Sequence, residues 1–384
     1  MLKLLLPSNK ILIIFMIITS SSCQKEEMVD ITQRENLEKI IESEFKRLQM
    51  PGLAVAAIHE DSVVIMEAKG YSNIEEKKPY TPQTRMIIAS ISKTMVVTAI
   101  MQLYEKGLLS LEDDINDHLP FAVRNPDYTN GKITIEMLLT HTSSISDNGY
   151  PISLFYLYGY VDYPETLMSF QKNYLTQEGQ YYTKENFSKN KPGTQYSYSN
   201  VGASLLACVV ERITGIDFNT YCKTNIFQPL GMSRTTWFFS ETPKDEIAVP
   251  YDDNTFHDPS KPFFSYPTYP DGHLITTVED LSMFLRAYIM DGTFNGYQLL
   301  KPETVDLILQ EHAKDNNEVQ GLIFYEWKIG NMTVWGHDGS DPGVATEMYF
   351  DRINRIGFIQ FTNRNNIYPN PETIGNALLL YANQ

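Results

Sequence analysis

The chain has little with which to build a disulfide framework or a metal centre. Its 384 residues include three cysteines, Cys23, Cys208 and Cys222, and their spacing matches no metal-ligand or redox motif. The seven histidines are scattered and form no H-E-x-x-H, so neither a metal nor a cofactor is expected. No G-x-S-x-G occurs, which removes the serine elbow of the α/β-hydrolases. Positive charge is scarce: 31 Lys and Arg face 47 Asp and Glu, a formal net charge of −16. A phosphate backbone would be repelled, which excludes nucleic acid as a partner. No run of like charge is long enough for a disordered tail, and neither an internal repeat nor a low-complexity tract is present.

An apolar run long enough to span a bilayer comfortably is also missing. The run Ile11 to Ile18 is short, follows Lys3 and Lys10, and ends in Thr19-Ser20-Ser21-Ser22-Cys23. This pattern is a targeting segment rather than fold. It resembles a bacterial lipoprotein signal, although Ser20 stands where an aliphatic residue is more usual. Residues 1–22 are then a signal peptide, Cys23 is the lipidation site, 23–35 form a tether, and 36–384 form the folded domain. Gln24-Lys25-Glu26-Glu27 resembles the surface-export signal of some Gram-negative lipoproteins. The expected location is a lipid-anchored protein facing the periplasm or exposed on the outer membrane, touching membrane only through the anchor.

What is present is enough for a large core, since 42% of the residues are hydrophobic,. Leu37, Ile40, Ile41, Phe45 and Leu48 recur at helical spacing before Pro51-Gly52. Leu53 to Ile58 and Val63 to Ala68 read as a hairpin around His59-Glu60-Asp61-Ser62. A helix is expected from near Ser90 to Gly107. Thr346 to Phe350 and Ile356 to Thr362 read as strands, and Glu372 to Ala382 as a closing helix. The fold class is therefore α/β of the α+β kind. An antiparallel sheet formed from both chain ends is flanked by helices, with a mostly helical region inserted. Cys208 and Cys222 each fall on a predicted helix, where pairing and buried free thiols are both compatible with the pattern. Tyr150 to Phe187 holds eleven Tyr or Phe, and Tyr251 to Tyr269 holds six. Such stretches either pack loops or wall a cleft.

Three short segments carry the chemistry: Ser90-Ile91-Ser92-Lys93, Tyr198-Ser199-Asn200 and His337-Asp338-Gly339. S-x-x-K recurs at Ser22, Ser43, Ser169 and Ser188, and Y-x-N at Tyr71, Tyr128, Tyr368 and Tyr381. Order and context therefore select the set. A serine needs a base to become a nucleophile. At i and i+3 on a helix, Ser90 and Lys93 share a face. A partly desolvated lysine loses proton affinity and can act as that base. Tyr198 beside Lys93 would have its phenolate favoured, so the base is either Lys93 or Tyr198. Asn200 is expected to hold Lys93 and the substrate carbonyl. The N–H groups of Ser90 and Ser340 are expected to form an oxyanion hole. His337 is expected on an edge strand, orienting Tyr198 by a hydrogen bond. His141 reads as a buttress of the fold.

These segments resemble the serine β-lactamase/penicillin-binding superfamily over about residues 36 to 383. The group concerned contains class C β-lactamases, D-Ala-D-Ala carboxypeptidases, D-aminopeptidases and related esterases. Leu138 to Ser143, Pro192-Gly193-Thr194-Gln195, Phe227 to Met232 and Thr277 to Leu281 carry the resemblance further. So do Thr362-Asn363 and Tyr368-Pro369-Asn370-Pro371. The resemblance implies that Ser90 is acylated, that Lys93 and Tyr198 are the acid/base pair, and that Asn200 and His337 support them. Asp338, Gly339, Ser340 and Asn370 complete the implied substrate-binding set. The implied reaction is acyl-enzyme hydrolysis of a small-molecule or peptide substrate. A non-catalytic binding or sensor protein is the other class the fold admits.

Two departures bear on substrate. Class C enzymes carry K-T-G where this chain has His337-Asp338-Gly339, and Thr373 stands where they often have arginine. Asp338 should repel a substrate carboxylate by roughly 4 kcal/mol for a contact near 4 Å at an effective dielectric of about 20, before screening. β-Lactams and D-Ala-D-Ala peptides are thereby disfavoured. Esters, amides and D-amino-acid peptides are favoured.

Overall fold

The computed structural model describes residues 33–150, 155–252, 260–315, 318–365 and 372–384. All of these lie in one unit, Ile31–Gln384. The expectations for Cys23, the signal segment and Asn370 fall outside the described residues.

The first described helix, α1 (Arg34–Arg47), buries Leu37 and Ile41, with Glu35 in its first turn and Lys46 and Arg47 in its last. That charge order complements the helix dipole. Two strands follow as the expected hairpin, β1 (Gly52–His59) and β2 (Ser62–Asn73). Their turn uses Glu60 at a φ of 54°. The remaining strands of the main sheet are β3 (Lys78–Pro79), β4 (Ala313–Asp315), β5 (Glu318–Gln320), β6 (Tyr325–Ile329), β7 (Met332–Asp341), β8 (Val344–Asp351) and β9 (Ile356–Thr362). Among the described residues this sheet has the order β4-β5-β6-β7-β8-β9-β1-β2-β3, and every pairing is antiparallel. The two chain ends meet at its centre, where Leu53 pairs with Thr362 and His59 with Ile356.

Both faces of this centre are covered, so β1 and β9 read as continuous apolar runs rather than alternating ones. Leu53, Val55 and Ala57 point to one side with Leu37, Ile41, Ile374 and Leu378, from α1 and the closing helix α5 (Glu372–Ala382). Ala54, Ala56 and Ile58 point to the larger core, which holds α2 (Lys93–Glu105), α3 (Asn200–Thr214) and α4 (Val278–Ile289). Within α2, Met95, Val96, Ile100, Met101 and Leu103 are all buried. A helix apolar all round belongs inside, and its position holds the residues just before it against the sheet.

The aromatic stretches pack against one another. Tyr150 stacks on Phe155 at 4.8 Å within the first, and Tyr156 meets Tyr266 at 4.8 Å and Tyr160 meets Phe263 at 5.1 Å between the two. Cys208 and Cys222 are buried free thiols. Among the described residues no helix is long and apolar enough to cross a membrane, and no group of acidic, histidine and cysteine side chains could hold a metal ion.

Candidate active site

The expected helix at Ser90 begins one turn later. Ala89–Ser92 is a 3-10 turn, and α2 starts at Lys93. Ala89 carries a φ of 47°, an uncommon backbone for a residue with a Cβ. This turn leaves Ser90 half-buried at the surface while Lys93 is fully buried. The tighter turn still brings the two side chains together, because i and i+3 eclipse in a 3-10 turn. Lys93 Nζ donates to Ser90 Oγ at 3.0 Å and to the Asp271 carbonyl at 2.7 Å. It also lies 5.0 Å from the centre of the Tyr198 ring. Burial lowers the proton affinity of Lys93, while Asp271, Asp147, Asp341 and Asp338 oppose that shift.

Tyr198 is brought beside this pair by the loop that enters α3. Its hydroxyl hydrogen-bonds to Ser90, yet desolvation drives its pKa well above the ordinary value. The expected phenolate is therefore not favoured: loss of solvent at the hydroxyl outweighs the Ser90 hydrogen bond, and Asp271, Asp338 and Asp147 add to the shift,. The ring itself keeps 37% of its surface open to the cleft. His141 lies under it, with ring centres 4.4 Å apart. His141 Nδ1 accepts from the Ser199 N–H at 3.2 Å, which puts the ring proton of the neutral form on Nε2. Burial holds the His141 pKa well down.

Asn200 does not hold Lys93. Among the described residues the lysine's partners are Ser90 and Asp271, and Asn200 instead opens α3, its backbone N–H donating to Asp147 Oδ2 at 2.7 Å. Asp147 also accepts from Ser199 Oγ at 2.7 Å and from the Val201 N–H at 3.2 Å. It thus caps the helix together with Ser199, which accepts from the Gly202 N–H,. The backbone carbonyl of Asp271 takes the place expected for Asn200.

The third segment departs from expectation in two ways. The strand β7 is interior to the sheet, not an edge. However, β6 stops at the pair Tyr325 and Gly336, so residues 337–341 pair only with β8. That local open edge faces the Ser90 turn. His337 makes no hydrogen bond to Tyr198 among the described residues, their ring centres being 6.3 Å apart. Its Nδ1–H donates to the Asp338 carbonyl at 2.5 Å. Burial pushes His337 down to about 4, with Lys93 adding to the effect and Asp338 opposing it. The ring is therefore neutral at pH 7 and edge-on to Tyr325.

Asp338 does face the cleft. Its side chain is 46% exposed and accepts from the Tyr325 hydroxyl at 2.7 Å. Gly339 has no room for a side chain: an added Cβ would meet the Ile88 carbonyl and Thr346 Oγ1, each at 2.4 Å. Thr346 Oγ1 donates to that same carbonyl at 2.8 Å, tying β8 to the Ser90 turn. Ser340 is exposed beside it. Ser90, Tyr198, His337, Asp338 and Ser340 all line one cleft of about 380 Å³. The rest of its wall comes from Tyr196, Glu318, Val319, Gln320, Tyr325 and Trp327, and not from the two aromatic stretches.

Two buried carboxyls behind Lys93 carry no local sequence signal. Asp271 is pushed up to about 7 and Asp341 to about 6, in both cases by burial, with Lys93 opposing. Asp271 Oδ2 lacks a hydrogen-bond partner. Asp341 accepts from Tyr156 at 2.7 Å and from Tyr266 at 3.2 Å. Tyr156 belongs to the first aromatic stretch and Tyr266 to the second, so each stretch supplies one hydroxyl to Asp341.

The family profile described as Beta-lactamase matches residues 37–382. "Protein flp" of Staphylococcus aureus (strain N315) is 25% identical over 342 residues, covering 87% of this chain and 64% of that protein. The chain thus spans less than two thirds of the length of that relative. Among solved structures, an octameric penicillin-binding protein homologue from Pyrococcus abyssi superposes with a TM-score of 0.69 at 25% identity, covering 91% of this chain and 76% of that one. The D-amino acid amidase of Ochrobactrum anthropi SV3, solved with L-phenylalanine, gives a TM-score of 0.71 at 20% identity, covering 90% and 98%. At that identity the likeness is one of fold.

Proposed function

Because the chain belongs to the beta-lactamase family, we propose that it is a serine hydrolase that works through an acyl-enzyme on Ser90. The observation that carries this reading is the 3.0 Å bond between Lys93 Nζ and Ser90 Oγ, made by a lysine whose burial lowers its proton affinity. Neutral Lys93 takes the Ser90 proton as Oγ attacks the substrate carbonyl carbon. The oxyanion forms between the Ser90 turn and the open edge of β7, where the N–H groups of Ser90 and Ser340 are the candidate donors. Tyr198, which rests protonated, passes its hydroxyl proton to the leaving group and takes in its place the proton carried by Lys93, and so serves as a relay rather than the resting base. Water then attacks the acyl carbon, and the same groups act in reverse order.

Small esters, amides and D-amino-acid peptides are the proposed substrates. An uncompensated Asp338 in the cleft weighs against substrates with a carboxylate at that point. The test is a fluorophosphonate probe followed by intact-mass analysis. One adduct on the wild type and none on Ser90→Ala is expected. Equal labelling or turnover in Ser90→Ala would overturn the acyl-enzyme reading, and no labelling of either would point to a binding protein on this fold.

A lipid anchor at Cys23 is proposed from Ile11 to Cys23 alone. Cys23→Ser should move the protein from the membrane to the soluble fraction, and unchanged fractionation would overturn the anchor.

A further inference from the structure

The cleft in front of Ser90 has one sign of charge. Of the residues that line it, Glu318 and Asp338 are the carboxylates, and none is Lys or Arg. Lys93 lies beneath the floor, fully buried, and His337 is held neutral. Neither carboxylate is compensated. Among the described residues Asp338 has no lysine or arginine partner: its contacts are the Tyr325 hydroxyl and the neutral ring of His337, 3.9 Å away. Glu318 is exposed, and its carboxylate makes no hydrogen bond or ion pair among the described residues. Four aromatic side chains, Tyr196, Tyr198, Tyr325 and Trp327, are partly open to the cleft, beside the uncharged Val319, Gln320, Ser90 and Ser340.

Two unpaired carboxylates in a concave, aromatic-lined space are a poor fit to a neutral or anionic group. Low-dielectric walls concentrate their field within the cleft, and ring faces attract cations, Trp most strongly. Uncompensated charge is also unfavourable to the free protein, and a cation that fills the space relieves it. We infer that this hydrolase selects substrates with a positively charged nitrogen on the part of the molecule that enters this cleft, and that Glu318 and Asp338 are the residues that read it. The inference rests on the acyl-enzyme reading and adds to it a substrate class and one residue, Glu318, on a strand of three residues far from the catalytic motifs.

Isosteric pairs that differ only in charge test it. Butyrylthiocholine and S-(3,3-dimethylbutyl) thiobutyrate place the cation or its neutral copy on the leaving group. The p-nitrophenyl esters of 5-(trimethylammonio)pentanoate and 6,6-dimethylheptanoate place it on the acyl group. In at least one pair, kcat/KM should favour the cation by about tenfold to a hundredfold. Glu318→Gln should cut that preference several-fold, and Glu318→Gln with Asp338→Asn should bring the ratio close to one. A ratio of one or below in both pairs, with Ser90 still labelled by the fluorophosphonate, would overturn the inference and leave the acyl-enzyme reading standing. A wild-type preference untouched by the double substitution would overturn the assignment to these two residues. Loss of labelling and of turnover on all four esters would instead remove the acyl-enzyme reading, and the inference with it.

Discussion

A Cβ added to Gly339 would stand 3.0 Å from the backbone nitrogen of Ser90. The Ser90 turn and the third motif strand are therefore in close backbone contact here, with the Thr346 hydroxyl reaching in beside them. That contact sets the width of the space in which a carbonyl oxygen would sit. It also explains a glycine at this position without appeal to backbone angle, since Gly339 is not among the positive-φ residues.

Gly339→Ala is expected to push the strand off the Ser90 turn. Overpacking of this kind typically costs about 1–3 kcal/mol, and the shift should lower acylation by more than tenfold. Urea denaturation and fluorophosphonate labelling rates measure the two effects. A variant with wild-type labelling would show that the spacing is not critical.

Burial lowers the proton affinity of Lys93, so the reactive, neutral form should appear below the usual lysine pKa of about 10.4. Labelling should rise with pH and level off before that value. Lys93→Arg keeps its charge and should lose about 10²- to 10⁴-fold, with no rise over the same range. A rise of equal size in Lys93→Arg would assign the base elsewhere.

Asp271 offers a stability test. Its carboxyl is pushed up to about 7 in the folded protein, against about 3.9 in the unfolded chain. The folded state holds a proton there that the unfolded chain releases between those two values. The associated stability is present below about pH 4 and is lost as pH rises through 7. Asp271→Asn should therefore gain on the wild type as pH rises from 4 to 8. Urea midpoints at pH 4.5, 6 and 8 measure this, and a constant difference would refute it.

Asp147 accepts three hydrogen bonds at the start of α3. Asp147→Ala strips the cap and leaves part-buried donors unpaired, a loss of about 2–3 kcal/mol. Because Tyr198 immediately precedes this cap, labelling of Ser90 should slow as well. Asp147→Asn retains an acceptor and should lose less by calorimetry.

The parts of the site legible in the sequence are those with local spacing. Ser90 and Lys93 are three apart, and that separation works in a 3-10 turn as it would in an α-helix. The hairpin, both late strands and the closing helix could be read from periodicity and turn residues. The acids Asp147, Asp271 and Asp341 could not, because each belongs to no local motif, whether in a loop, in a 3-10 turn or at the end of β7, and acquires its surroundings only when distant segments pack. The expected His337–Tyr198 bond failed for a similar reason: the imidazole finds the carbonyl of its own neighbour, Asp338, before it reaches across the cleft. Glu318 lies on a short strand whose proximity to Ser90 depends on the order of the whole sheet.

The pairing of His59 with Ile356 at the centre of the sheet has a consequence for biosynthesis. While the chain is still on the ribosome, β1 and β2 exist as a hairpin whose inner edge has no neighbour. Such an exposed edge is open to unwanted pairing, and the strand that closes it lies far along the chain, His59 pairing with Ile356, which makes closure slow. The Ser90 turn is likewise without the strand that faces it until β7 has been made. No amino-terminal fragment that stops short of β7 can bring that strand against the Ser90 turn, so the proposed reactive centre is incomplete in every such fragment.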